Sequence, residues 1–458
     1  MKSHLIFCII LICIFIKNAI CLEITVPINL YKPLSKTNET SMIGSSNIII
    51  DSKEIKQNSN LPLQNILDLK TGIKSRSIYG SNYSGSKSTI DIRGMGAQAK
   101  SNVLILINGQ RLNNIDMSEI DFPSIPIDSV DRIEIIKGSA ASVLYGDGAI
   151  GGAINIITNP EKINEKKSTF FIRHGVFNTK ETNFYHSEKK NNLKFTSILN
   201  HFQTDGYRDE NEQKQNNFTS EITYNGHDTD HFITLNFSEQ IMSTPGDRDQ
   251  NQLFANRRGS DTADDYINSI GGSILYSSDY KLNDKINFIL NTSLRLKNSF
   301  SDLQSTSYPS YSNTLLKNYQ LSPRYDQETL LLGYNSNLSY GFDFRFADYI
   351  SYRKKNNDAI PLHTYDAWES SLAIYSQNST KLNNKTTLLT GFRFQKNKLK
   401  IEDNLDTNAP DYAGWQTEHE KYSDHEKNIL FNLGFDHKTN DLITVYSRIG
   451  NGFRYPNI

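Results

Sequence analysis

The chain has 458 residues, enough for two or three soluble domains of ordinary size. Its 49 Lys and Arg against 50 Asp and Glu leave a formal net charge of −1, which excludes bulk electrostatic attraction to nucleic acid. Only 37% of the residues are apolar, too few for a bundle of transmembrane helices, yet Tyr (24) and Phe (23) are plentiful, as the interface girdles of a polar-lumened membrane barrel require.

The one long apolar run covers residues 5–16, follows Lys2 and is too short to span a bilayer. It fits the apolar core of a secretory signal. Ala19-Ile20-Cys21 places small residues at both cleavage positions, so residues 1–21 read as the signal and Leu22 as the mature start. A lipoprotein anchor at Cys21 is the weaker alternative, because bulky Ile20 precedes it. The cysteines, Cys8, Cys13 and Cys21, all lie in this segment, so neither disulfides nor thiol catalysis is expected downstream. An exported chain with no further cysteine and no apolar helix has one good way into a membrane, a closed β-barrel.

Residues 22–46 begin with Glu23, Ile24, Thr25, Val26 and Pro27, a short extended stretch, and continue as a polar, flexible segment. Residues 47–51 read as a strand. Leu63, Ile66, Leu67 and Ile73 around Asp68 give a short amphipathic helix ended by Gly72. Residues 75–88, SRSIYGSNYSGSKS, have no period and form a polar loop with aromatic anchors. Four β-rich runs follow at 89–93, 103–107, 132–137 and 153–158. Asn108-Gly109 marks a hairpin after the second. Gly146, Gly148 and Gly151 make a literal G-x-G-x-x-G, but a dinucleotide site needs that motif to open a helix. Here an alternating strand pattern follows, so the glycines read as close packing and tight turns. Residues 47–160 are thus a small mixed α/β unit.

The ordered run Ile92-Arg93-Gly94, then Val103 to Asn108-Gly109, then Ile133-Glu134 to Lys137-Gly138, then Tyr145-Gly146 to Asn155 and Thr158, resembles the plug domain of TonB-dependent outer-membrane receptors. Where that family commonly has Arg-Gly-Pro, this chain has Lys137-Gly138-Ser139, which keeps the charge and loses the bidentate fork. The resemblance implies that Glu23, Ile24, Thr25, Val26 and Pro27 form a TonB box, which pairs with an edge strand of TonB by strand addition. It implies that Tyr79, Asn82 and Tyr83, with Asn113 and Asn114 in a second apical loop, contact the ligand. Arg93, Glu134 and Lys137 are charged within apolar strands. They read either as a polar interface between plug and barrel or as an ion pair inside the plug.

From residue 168 onward the period becomes two. Phe288, Leu290, Leu294 and Leu296 alternate with Asn287, Asn291, Ser293, Arg295 and Lys297, and Phe342, Phe344 and Phe346 alternate with Asp343 and Arg345. Apolar outside and polar inside is the dyad pattern of a transmembrane barrel strand of about ten residues. Short polar connections at 187–192, 225–230, 278–285, 378–385 and 437–441 alternate with long ones at 204–217, 241–265, 298–321, 354–367 and 397–426, as periplasmic turns and extracellular loops would. The expected fold is therefore mainly β: a small α/β plug (47–160) followed by a transmembrane antiparallel β-barrel (168–458). About 13 strands are expected, against the about 22 that the resemblance implies. The closing stretch Gly450-Asn451-Gly452-Phe453-Arg454-Tyr455-Pro456 resembles one that members carry well before their C terminus. The barrel accordingly reads as C-terminally truncated.

No catalytic set, P-loop or CxxC is present, and an enzyme is not expected. His227-Asp228-Thr229-Asp230-His231 lies in a tight turn whose alternation sends its ligands apart, and His419-Glu420 and His425-Glu426 lack HExxH spacing. Asp247-Arg248-Asp249 offers oxygens to Ca²⁺ but is accounted for by solvation. No metal site and no resident cofactor are expected. The resemblance implies an outer-membrane receptor and transporter for a ferric siderophore, haem or cobalamin, with TonB, its inner-membrane energising complex and outer-membrane lipid as partners. The alternatives are a passive outer-membrane channel and a non-transporting β-rich binding or adhesion protein.

Overall fold

The computed structural model describes residues 47–77, 88–158, 166–262, 264–303, 310–410, 416–417, 419–440, 443–456 and 458. The N-terminal unit contains β1 (Asn47–Ile50), β2 (Ile73–Ser77), β3 (Ser88–Ile92), β4 (Val103–Ile107), β5 (Gln110–Arg111), β6 (Val130–Lys137) and β7 (Gly152–Thr158). Five of these form one sheet in the order β1-β6-β7-β4-β5, while β2 and β3 pair separately. The apolar runs VLILI and GAINIIT occupy central positions, where β4 and β7 run parallel and are covered on both faces. Asn108 and Gly109 both have positive φ, as the hairpin from β4 to β5 requires.

One face of this sheet packs Ile105, Ile133, Ile135, Ile154 and Ile156 against Ile66 and Leu67 of the expected helix, which spans Leu63–Asp68. A helix at Ser52–Gln57 was not anticipated. Asp51 caps it by accepting from the Glu54 amide at 2.8 Å, and Asp51-x-x-Glu54 was its signal in the sequence. At Gly152, φ is 143° and a Cβ would collide with the Ile136 carbonyl oxygen. The glycine run therefore leads into β7 by close packing and not into a nucleotide-binding helix.

The remaining strands are β8 (Lys167–His174), β9 (Lys180–Lys190), β10 (Leu193–Thr204), β11 (Gln213–Asn225), β12 (Thr229–Ser243), β13 (Tyr266–Asn283), β14 (Ile286–Leu303), β15 (Ser310–Leu331), β16 (Tyr334–Lys354), β17 (His363–Asn383), β18 (Thr386–Leu405), β19 (Tyr422–Lys438) and β20 (Thr444–Gly450). All thirteen form one sheet in sequence order, each antiparallel to its neighbours, with β8 and β20 at its two edges. The dyad pattern is realised: Phe342 and Phe344, or Phe431 and Leu433, are exposed on the outer face, while Asn291, Gln395 and Asn432 are buried on the inner one. Near the short-turn ends of β11 to β16, the rings of Tyr224, His231, Tyr276, Tyr280, Phe288, Tyr325 and Tyr340 follow one another at 5.0–6.2 Å. This is an aromatic girdle of the kind that sits at a membrane interface, and His231 belongs to it.

Two expectations need correction. Strands of about ten residues prove too short: β15, β16 and β17 have 22, 21 and 21 residues. Apolar alternation marks only the part of a strand that faces lipid. Ladder pairing continues beyond it, where no apolar face is needed, and absorbs much of the expected long connections. The stretch between 319 and 352 resolves into β15 and β16, joined by a turn at Leu332 and Gly333, both with positive φ.

Candidate functional site: the plug and barrel interface

Glu23, Ile24, Thr25, Val26 and Pro27, and likewise Tyr79, Asn82 and Tyr83, lie outside the described residues. The segment between β5 and β6 is described. Ile115 packs among Leu316, Ala347, Tyr349 and Ala367, near the long-connection ends of β15, β16 and β17, so this loop reaches toward that end of the sheet. Asn113 turns inward and braces the plug: its Oδ1 accepts from the Ile105 amide at 2.7 Å and its Nδ2 donates to the Val103 carbonyl at 3.1 Å. Asn114 accepts from Arg295 of β14 and donates to Ser118 at 2.7 Å, which makes it an interface residue.

For Arg93, Glu134 and Lys137 the described contacts lie within the plug. Glu134 is fully buried on the sheet face turned toward the barrel, but its ion pair is internal, with Arg132 Nε at 2.9 Å and Asn155 opposite in register. Burial pushes its carboxyl up to about 7 despite Arg132. Lys137 donates to the Thr71 carbonyl at 2.8 Å, and burial beside Arg93 holds its amine below the ordinary range. The Arg93 guanidinium lies over Gly138. The described bonds of these side chains thus tie the plug to itself.

Other residues join plug to sheet, and they come from strands all along it. Asn183 of β9 donates to Asp128 at 2.7 Å, Asn217 of β11 to the Pro123 carbonyl at 2.7 Å, and Gln240 of β12 to Asp121 at 3.3 Å. Ser293 of β14 donates to Gln110 at 3.1 Å, and Arg295 to the Leu112 carbonyl at 2.7 Å. Arg448 of β20 donates to the Ala140 carbonyl at 2.8 Å. Beyond β20, the Phe453 carbonyl accepts from the Gly148 amide at 3.1 Å, and Arg454 donates to Gln98 and Ser101 at 3.0 Å each. A sheet that reaches one small domain from β9, β11, β12, β14 and β20 is wrapped around it.

The densest part of the interface is a buried charge cluster. Asp147, between Gly146 and Gly148, pairs with Arg111 of the plug at 3.1 Å and with Arg345 of β16 at 3.5 Å, and it accepts from Gln395 of β18 at 3.2 Å. Arg345 also pairs with Glu369 of β17. Arg393 of β18 pairs with Asp343 at 2.7 Å and donates to the Leu144 carbonyl at 3.3 Å. Three guanidinium groups thus face three carboxylates. Burial alone would raise the Asp147 carboxyl, but Arg111 and Arg345 outweigh it and hold it near about 2. Glycine suits position 146, where φ is 81° and a Cβ would displace the ends of Gln395 and Arg393. The sequence marked Arg345 as inward-facing; its partner was illegible because Asp147 sits in a glycine turn 198 residues away.

Residues 39–153 match the profile of the TonB-dependent receptor plug domain, and residues 170–458 that of the TonB dependent receptor-like beta-barrel. The vitamin B12 transporter BtuB of Vibrio cholerae is 37% identical over 110 residues, which are 24% of this chain and 17% of that protein. The ferric enterobactin receptor of Pseudomonas aeruginosa is 34% identical over 130 residues, 26% of this chain and 17% of that protein. The unliganded ferric citrate transporter FecA superposes with a TM-score of 0.76 at 12% identity, covering 91% of this chain and 64% of that one. The ferric yersiniabactin receptor FyuA of Yersinia pestis gives 0.72 at 16%, covering 90% and 65%. The chain therefore spans about two thirds of the length of these structures, and these two curated relatives are matched over under a fifth of theirs.

Two outcomes are expected. Asp147→Asn leaves Arg111 buried without its carboxylate and Arg345 with Glu369 alone, and lowers the unfolding free energy in detergent by about 3–5 kcal/mol. A double-mutant cycle with Arg345→Gln gives a coupling of about 0.5–3 kcal/mol, and strict additivity would show the pair to be incidental. Glu134, raised in the folded protein, contributes stability that is fully present below its unfolded value of about 4.5 and lost as pH rises through about 7. Denaturant titration of the wild type should show stability falling between those values, by about 1–3 kcal/mol, and Glu134→Gln should flatten that slope.

Proposed function

Because the chain belongs to the TonB-dependent receptors, we propose that it serves active uptake across the outer membrane of a Gram-negative cell, driven through TonB, for a large metal chelate of the cobalamin or ferric siderophore class. The observation that carries the reading is the way the plug is seated. Its contacts with the sheet are mostly hydrogen bonds and ion pairs, drawn from strands between β9 and β20, with small apolar patches at Tyr375 and around Ile115. Polar contacts exchange for water at little net cost, whereas an apolar core does not, so such a plug can rearrange when pulled.

The space now present supports the need for that rearrangement. The cleft between Asn114, Ile120 and Ser124 of the plug and Arg295 of β14 measures about 120 Å³. Sites for drug-sized ligands run to roughly 300–1,000 Å³, so this cleft does not hold a chelate of that size without plug movement. In this reading Glu23, Ile24, Thr25, Val26 and Pro27 are captured by TonB as an added strand, and Pro27 limits the length of the pairing. Tyr79, Asn82 and Tyr83 meet the ligand at the apex. Asn114, bound to Arg295, passes the change at the loop to the interface. The names of the matched relatives favour the same cargo class, vitamin B12 and ferric enterobactin.

The test is accumulation of radiolabelled cyanocobalamin and of a panel of ferric siderophores in cells expressing the protein, with and without TonB. One chelate should be concentrated against its gradient only when TonB is present, and Ile24→Pro, which breaks strand addition, should abolish accumulation while leaving binding intact. Equilibration of small solutes independent of TonB would instead show a passive channel.

A further inference from the structure

A second constellation lies away from the plug. His363 opens β17, Asp403 lies near the end of β18, and His419 belongs to the segment that connects β18 to β19. One ring nitrogen of each histidine and one oxygen of Asp403 all lie within 4.8 Å of one another. The His363 Nδ1 stands 2.9 Å and 3.0 Å from the two Asp403 oxygens, and the His419 Nδ1 2.8 Å from Oδ2. We propose that these three side chains form a binding site for a divalent transition metal, of the zinc(II) class, that ties the connection between β18 and β19 to the outer part of β17. The proposal stands apart from the uptake reading.

The donor set supports this assignment. Two imidazole nitrogens and one carboxylate oxygen are borderline ligands, suited to Zn²⁺ and its neighbours and unlike the all-oxygen sets that Ca²⁺ and Mg²⁺ need. The site is also held in shape. His363 and Asp403 are buried, the first at 1% exposure and the second at 2%. In the ladder, Tyr365 faces Asp403 and His363 faces Leu405, so the two ligands are diagonal neighbours on one face. Tyr365 stacks on the His363 ring at 5.6 Å with an interplanar angle of 4°. The His419 backbone amide donates to Asp403 at 3.2 Å, which places that residue independently of its ring. At the base of the connection, the Asp406 amide donates to the Leu362 carbonyl at 2.9 Å, and Leu362 and Ala409 pack with Leu405.

A zinc ion about 2.0–2.2 Å from each ligand needs them about 3–4 Å apart, so the present spacing asks for small movements only. The N–H···O bonds would be replaced by metal bonds, each neutral imidazole moving its proton to the other ring nitrogen. His419 is largely exposed at its side chain, which leaves the fourth position open to water. The two ring ligands come from positions 56 residues apart in the chain, with the carboxylate 16 residues before the second, so no local motif announces the site.

The experiment is zinc titration of the full chain, expressed without a polyhistidine tag, by competition with a chromophoric chelator, and Co²⁺ substitution read by visible absorption. One saturable equivalent is expected, with a cobalt d–d band. His419→Ala, an exposed position that does not threaten folding, should weaken binding at least about tenfold and remove the band. Asp403→Asn should do the same where its circular dichroism stays native. Absence of saturable binding, or binding that survives His419→Ala and is lost with His227→Ala and His231→Ala, would overturn the proposal.

Discussion

A sheet that faces hydrocarbon must satisfy every backbone N–H and C=O within itself, and its outward side chains must be apolar. Period-two alternation then turns every second residue inward. In this chain the inward set is polar and charged: Asn291, Ser293, Arg295, Asp343, Arg345, Glu369, Arg393 and Gln395. A domain enclosed by such a wall cannot be held by an apolar core. It must be held by hydrogen bonds and balanced charge, and the rest of the molecule follows from that constraint.

The plug meets the constraint with two unlike faces. One carries an ordinary isoleucine and leucine core, closed by short helices. The other presents Asp147 on a glycine turn, Arg111 from the hairpin and a series of backbone carbonyls to the wall. Stability of the small domain and its attachment to the barrel are therefore separate properties, held by separate residues. That separation is what a plug needs in order to move without losing its own fold.

The same physics decides what was legible in the sequence. Residues 103–107 were readable to the residue, because an apolar run ended by Asn108-Gly109 leaves one interpretation. The inward phase of Arg345 was readable from Phe344-Arg345-Phe346. The partner of Arg345 was not, since pairing with Asp147 is set by how the sheet wraps and not by local spacing. Strand length was underestimated because outer-face hydropathy stops at the membrane boundary while backbone pairing goes on. His363, Asp403 and His419 were missed as a group for the same reason as Asp147: three strand or loop positions, each unremarkable alone, are brought together by register.

The central claim is that transport requires the plug to part from the wall. Ser139 and Gly452 lie on opposite sides of that boundary, with a Cβ at Gly452 falling 3.3 Å from the Ser139 Cβ, close to disulfide range. The variant carrying Ser139→Cys and Gly452→Cys would lock them together, and the measurement is energised ligand accumulation with the pair oxidised and then reduced. The account predicts that accumulation stops on oxidation and returns on reduction, with ligand binding unchanged throughout. Full accumulation through the locked protein would contradict it.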